Sequence, residues 1–268
     1  MKQWNEDRLI ATNTVKKVCS NSNAAHRFEN SYEIIYCLRG IRENLTDIER
    51  VFLVVPSKEH HKSEYISQEL QAELLLWKES DKELEWVYDH DLQTAPSPPF
   101  FSSHAIEMLI SNIPGLDEIF LYSNDDCFVL NPLTSSYWKS LDNSKWVIHC
   151  TGESIDGMFS TKVKQGGNAY TKQFSFLPSL LQQQEEDVKK LPFQCHAPSL
   201  QRKTVHKNLI ARMSQELKSL SSDVFRKGIS LTTACGYEMY YSGTAKFVEG
   251  NLHVLILCLT FGFEYRQF

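Results

Sequence analysis

At 268 residues, with 42% hydrophobic and 12% aromatic side chains, the chain carries enough apolar material for one large domain or one domain with an elaboration. Charged residues make up 23% of it, which excludes a disordered chain of low hydropathy and high charge. The formal net charge of -5 gives no electrostatic footprint for nucleic acid, so none is expected as a partner, while a local basic pocket for phosphates is compatible with it.

The first 26 residues are polar and poorly patterned. Over residues 29–43 the apolar side chains Ile34, Ile35, Leu38 and Ile41 recur at helical spacing. Val51-Phe52-Leu53-Val54-Val55, stopped by Pro56, reads as a strand buried on both faces, the kind found in parallel sheets. A helix is expected over residues 65–77 and a strand over 84–88. After a Pro-rich loop at residues 94–99, Ser102-Ser103 offer N-cap side chains for a helix over 104–112 that buries Ile106, Leu109 and Ile110. Pro114-Gly115 ends it, and Ile119-Phe120-Leu121-Tyr122 is the next strand.

Residues 146–149 form one more short strand, 152–167 read as loop, and 182–190 as a solvated helix face. A long amphipathic helix is expected over 200–220, with Leu209, Ile210, Met213 and Leu217 on one side. A further helix covers 232–241. The apolar run at residues 252–263 is too short to span a bilayer and reads as a terminal core strand. No transmembrane segment is expected. The alternation predicts an α/β protein with a mostly parallel, Rossmann-like sheet of the nucleotide-sugar transferase kind and a helical C-terminal part. Its divisions are residues 1–26, an α/β core at 27–150, a helical part at 151–246, and an apolar tail at 247–268.

The cysteines Cys19, Cys37, Cys127, Cys150, Cys195, Cys235 and Cys258 contain no C-x-x-C pair, which argues against a zinc ribbon or a thioredoxin-like motif. Asn44-Leu45-Thr46 is a sequon with meaning only in the secretory route, and the residues after Met1 are polar and charged, so no signal peptide is visible there. P-loop, dinucleotide-binding, zincin and α/β-hydrolase motifs are absent.

The remaining chemistry gathers at Asn124-Asp125-Asp126, directly after the strand at 119–122. In open α/β sheets ligands bind outside the carboxyl ends of strands. Residues two apart on extended chain share a face, so Asn124 and Asp126 point together. Such oxygen ligands suit Mg²⁺ or Mn²⁺ shared with substrate phosphates. A turn uses the same residue types, and the two readings weigh evenly here. Glu107, one turn into the helix after Ser103, reads as exposed or as a base beside a helix N-terminus that favours phosphate. His196 precedes the long helix. Arg27, Arg39, Arg202 and Arg226 are phosphate-clamp candidates that spacing does not separate.

Together these segments resemble the Stealth family, which includes the α/β subunit of the lysosomal-enzyme GlcNAc-1-phosphotransferase and bacterial capsular polysaccharide phosphotransferases. The resemblance starts at Arg27-Phe28-Glu29-Asn30, Glu33-Ile34 and Cys37-Leu38-Arg39-Gly40-Ile41. It continues through Phe101-Ser102-Ser103-His104-Ala105-Ile106-Glu107 and peaks over Pro114-Gly115-Leu116-Asp117-Glu118-Ile119-Phe120-Leu121-Tyr122-Ser123-Asn124-Asp125-Asp126. A weaker third region includes Cys195-His196-Ala197-Pro198 and Phe225-Arg226.

The resemblance implies transfer of a sugar-1-phosphate from a nucleotide sugar such as UDP-GlcNAc to a hydroxyl of a glycan or glycoprotein acceptor. It implies a divalent cation at Asp125 and Asp126, and Glu107 and His196 as acid/base groups. Arg27, Arg39 and Arg226, with Ser102, Ser103 and Asn124, become substrate contacts. It implies the secretory pathway or Golgi in a eukaryote, and the cytoplasm in a bacterium. The family's opening Trp-Val-(Asp/Asn)-Gly-x-Asp strand, an acidic residue after the third region's arginine, and its fourth region have no counterpart in the sequence. A truncated or inactive homologue that binds nucleotide sugar or glycan without turnover is therefore the alternative expectation.

Overall fold

The computed structural model describes residues 32–55, 67–92, 102–157, 174–221 and 229–249. Helix α1 (Glu33–Asn44) leads to β1 (Arg50–Val55), α2 (Gln68–Glu79) and β2 (Glu83–Tyr88), and β1 and β2 pair in parallel. Ser67 caps α2, its hydroxyl accepting from Leu70 N. The short helix α3 (Ser103–Glu107) passes through a 3₁₀ turn, Ile110–Asn112, to Gly115, whose φ of 74° is a left-handed backbone suited to glycine. β3 (Ile119–Tyr122) follows, then β4 (Trp146–Ser154).

The C-terminal part holds α4 (Leu177–Leu181), α5 (Glu185–Lys189), β5 (Pro192–Gln194), β6 (Ser199–Arg202), α6 (Lys203–Arg212), α7 (Gln215–Ser221), α8 (Leu231–Tyr241) and β7 (Ala245–Glu249). β3 pairs antiparallel with β6. β4 pairs antiparallel with β5 and parallel with β7. The expected α/β class holds, but as small mixed sheets: the described strands form β1–β2, β3–β6 and β5–β4–β7, and a mostly parallel sheet is not among them.

The core centres on α8, where Leu231, Ala234, Cys235, Tyr237 and Met239 are fully buried and the helix packs on α6, β6, β7 and α4. Three expectations are corrected. The helix expected over 200–220 opens as strand β6, because Leu200 and Gln201 pair with Leu121 and Phe120 of β3. It then breaks at Met213, where Ser214 Oγ accepts from Leu217 N at 3.1 Å and starts a new helix. The helix at 104–112 is α3 plus a 3₁₀ turn, and it buries Glu107 (4% exposed) while Ile106 is only half-buried. Finally, β1 is half-buried along its length instead of enclosed on both faces, since only β2 pairs with it. The expected helix at 232–241 and strands at 84–88, 119–122 and 146–149 are all present. The run at 252–263 lies outside the described residues. Among the described residues no helix is long and apolar enough to cross a membrane.

Candidate functional site

The pairing of β3 with β6 builds the site. Tyr122 lies opposite Ser199, so continuing the register past the strand ends brings the Asn124 turn alongside the 195–198 segment. Cys127 N donates to Asn124 O at 3.2 Å, closing a turn with Asp125 and Asp126 at its corners. The tripeptide is therefore both a turn and a presented acidic pair.

Asn124 and Asp126 share a face, as alternation along the chain suggests. The Asn124 amide Nδ2 approaches His196 Nε2 at 2.8 Å, and Asp126 Oδ1 stands 3.9 Å from the same nitrogen. Tyr122 donates its hydroxyl to Asn124 Oδ1 at 2.7 Å, fixing the amide so that its N–H₂ faces the imidazole. Buried Cys127 directs its thiol to Asp126 Oδ1 at 3.8 Å.

The first turns of α1 flank the same turn. Cys37 donates to Asn124 O at 3.5 Å, and burial, then the charge of Asp125, push its thiol up to about 12. Glu33, one turn earlier on that face, has its carboxyl raised by desolvation and then by Asp125 and Asp126. Asp125 is itself raised, by the desolvating protein around it and then by the like charge of Asp126. Because Asp125 presents surface to solvent, repulsion between the two carboxylates is the firmer cause. Glu33, Cys37 and Tyr122 are the members of this cluster that motif reading passed over; the i, i+4 spacing of Glu33 and Cys37 was the available signal.

The other expected residues are dispersed. Glu107 is buried with its Oε2 accepting from Ser230 Oγ (2.8 Å), Thr232 N (3.0 Å) and Thr232 Oγ1 (3.1 Å), which fastens α3 to the first turn of α8. Ser103 lines one cavity with Asn124 and Asp125. Ser102 is buried at the N-cap of α3 without making a side-chain cap bond. That helix has only five residues, so the phosphate-binding helix N-terminus expected there is corrected to a single tight turn with little dipole. Arg39 Nε is bound to Glu73 Oε2 at 3.1 Å, and Arg42 Nε holds the other oxygen at 3.0 Å, so Arg39 is anchored on the side of α1 facing α2. Arg202 pairs with Glu118 at 3.3 Å. Arg27 and Arg226 lie outside the described residues.

The donor set at the turn fits a small divalent cation. Two ligands about 2.1 Å from one Mg²⁺ sit roughly 3.0 Å apart when adjacent and about 4.2 Å apart when opposite, and the 3.9 Å between Asp126 Oδ1 and His196 Nε2 falls in that window. Asp126, Cys127 and His196 converge as a group with metal-ligand atoms. Cys127, 1% exposed with its thiol turned to Asp126, orients that carboxylate, so the acting groups at the turn are the Asp126 carboxylate and the His196 imidazole, as ligand or as base.

Residues 27–146 match the family model described as Stealth protein CR2, conserved region 2. The chain is 23% identical over 249 residues to the capsular polysaccharide phosphotransferase fcs1 of Haemophilus influenzae, covering 93% of this chain and 63% of that protein. It is 29% identical over 115 residues to the capsular polysaccharide phosphotransferase SacB of Neisseria meningitidis serogroup A, across 42% of this chain and 18% of that one. It is 30% identical over 113 residues to the capsular polysaccharide phosphotransferase LcbA of Neisseria meningitidis, across 42% of this chain and 27% of the relative. The chain thus spans less than two thirds of each of these relatives.

Proposed function

The chain belongs to the Stealth family through its conserved region 2, and from that premise we infer that it is a phosphotransferase acting on a nucleotide sugar. The reaction moves a sugar-1-phosphate, GlcNAc-1-phosphate being the example, to a hydroxyl of a glycan or glycoprotein. The carrying observation is the meeting of Asn124, Asp126 and His196 at the end of β3, where a region matched to the family abuts one more distant in sequence.

Asp125 and Asp126 are the residues that would hold Mg²⁺ or Mn²⁺, which when bound would neutralise the diphosphate and the departing nucleoside monophosphate. His196 Nε2, which meets the Asn124 amide at 2.8 Å, is the group proposed to take the proton of the acceptor hydroxyl, once that hydroxyl displaces the amide from the imidazole lone pair. Glu107 is the second acid/base group, with one oxygen committed to α8. Asn124, Ser102 and Ser103 contact the donor, and Arg27 and Arg226 its phosphates. The Nε of Arg39 is committed to Glu73, which leaves its terminal nitrogens as the donors a phosphate would meet.

A second reading, binding of nucleotide sugar or glycan without turnover, is favoured by the wide cavity that opens beside Asn124 and Asp125. One assay separates the two. Folded chain with Mn²⁺ and a panel of nucleotide sugars is expected to release nucleoside monophosphate. Release of diphosphate indicates sugar transfer instead. Thermal stabilisation by a donor without release supports the binding reading, and neither binding nor release refutes both.

A further inference from the structure

Two large aromatic side chains stand exposed on one stripe of α1. Tyr36 is 55% exposed, and Tyr32, the residue ahead of the helix, is 45% exposed. At about 100° per residue, Tyr32, Tyr36 and Arg39 fall together on the helix surface. Ile34, Cys37, Leu38 and Ile41 form a separate stripe, the one that lines the wide cavity. Clustered apolar surface of this kind, unlike a single exposed residue, marks an interaction site.

Tyr36 is exposed but held. Its ring meets that of buried Phe128 in an edge-to-face contact, with centroids 6.2 Å apart at 81°. The Arg39 guanidinium carbon lies 5.8 Å from the Tyr36 centroid, and Arg39 is fixed in turn by Glu73. More than half of the Tyr36 surface still faces solvent. A rigid aromatic face of this sort offers contact area at little cost in conformational entropy.

The chain leaving the acidic turn runs alongside α1 in step with it. Cys37 donates to Asn124 O, Tyr36 meets Phe128, Gly40 abuts Val129 O, and Asn44 Nδ2 donates to Val129 O at 2.7 Å. Tyr36 therefore stands at the step just past Asp126 and Cys127. Among the described residues the cavity wall holds Asn124 and Asp125 but not Tyr36, Asp126 or His196. Those three open to solvent instead, on the approach that leads to the His196 imidazole.

We propose that Tyr36 is a subsite for the acceptor glycan: a pyranose ring beyond the reacting hydroxyl lies on its face, and Arg39 receives an anionic group further along that chain. The proposal rests on the phosphotransferase reading for the identity of its occupant. A pyranose presents a face of C–H bonds whose positive edge suits the negative face of an aromatic ring. Arg39 sits three residues further from the turn, about 4.5 Å along the helix axis. Its Nε is taken by Glu73, and its terminal nitrogens suit a phosphodiester. Transfer of a sugar-1-phosphate to a hydroxyl leaves a phosphodiester in the product, so an acceptor that has already been extended carries the anion this arm would read.

Equilibrium binding without donor tests the subsite. The full chain and its Y36A, Y36F and R39K variants are titrated by NMR with trisaccharides of glucose, galactose and GlcNAc, each in a neutral and a phosphodiester-linked form. The parent is expected to bind at least one of them. Y36A should weaken that binding about 3- to 10-fold, while Y36F, which keeps the ring, stays within about 2-fold. R39K should weaken the phosphodiester-linked form alone; equal loss on both forms, or none, removes the anionic group from the proposal. Should Y36A unfold, Y36L takes its place with the same expectation. Binding of no trisaccharide by the parent, unchanged binding by Y36A, or a Y36A loss that falls on the nucleotide donor instead of the glycan overturns the proposal. Nucleoside monophosphate release, run in parallel, separates the two ideas. Tyr36-dependent glycan binding without release keeps the subsite and refutes the reaction. Release with an acceptor KM unmoved by Y36A keeps the reaction and refutes the subsite.

Discussion

Removing Glu107 gives the sharpest reading of what that buried carboxylate does. Its Oε2 accepts from the Ser230 hydroxyl, the Thr232 amide and the Thr232 hydroxyl. In E107A the two hydroxyls still satisfy each other, being 3.0 Å apart, so the stranded group is the Thr232 N–H. That costs about 1–3 kcal/mol. Loss of a negative charge at the start of an eleven-residue helix adds about 0.3–1 kcal/mol. A total of about 1–4 kcal/mol corresponds to a Tm lower by roughly 3–16 °C for a chain of this size. E107Q keeps an acceptor oxygen and is expected to recover most of that stability. As an acid/base group, however, Glu107 requires E107Q to lose about 10²–10⁴ in turnover. Thermal denaturation beside nucleotide release separates the two roles. E107A within 2 °C of the parent refutes the fastening role, and a fully active E107Q refutes the catalytic one.

Gly40 lets α1 lie against the chain beyond the acidic turn, since an added Cβ would sit 2.7 Å from Val129 O. G40A is therefore expected to lose about 1–3 kcal/mol in urea unfolding and to weaken donor binding by displacing the turn. His206 is fully buried, its Nε2 2.9 Å from Gln201 Oε1, and burial lowers it from 6.5 to about 4. The unfolded chain binds this proton first, so stability present above pH 6.5 is lost as pH falls towards 4, by up to about 1.4 kcal/mol per unit. Tm measured against pH should be flatter over that window in H206Q. At Asp125, whose carboxyl is raised by desolvation and then by Asp126, D125N relieves like-charge repulsion and is expected to raise Tm slightly while abolishing turnover. A lower Tm would contradict the repulsion.

Much of the site was legible because it is local. The apolar run at 119–122 marks β3, and the Asn-Asp-Asp that follows is both a turn signal and a presented acidic pair. The partnership of Asn124 with His196 spans 72 residues and is set by the register of β3 on β6. That strand, Ser199–Arg202, was hidden inside a helical pattern whose periodicity in Leu209, Ile210, Met213 and Leu217 overrode the capping signal of Ser214. Glu107 read as exposed because a charged residue beside Ile106 ordinarily is; only the fold reveals three donors waiting for it. Arg39 looked like a free phosphate clamp until α2 placed Glu73, whose side chain is 0% exposed, against it. The parallel sheet was legible only as far as β1 and β2, because the other described strands pair as β3–β6 and β5–β4–β7, mostly antiparallel and through partners distant in sequence.

The most direct measurement of the proposed chemistry follows the donor's β-phosphorus. A nucleotide sugar labelled with ³²P at that position, incubated with the folded chain, Mn²⁺ and a glycan acceptor, is expected to leave its label on the acceptor as a sugar phosphodiester, with unlabelled nucleoside monophosphate released. Label remaining with a released nucleoside diphosphate, while sugar alone reaches the acceptor, contradicts it.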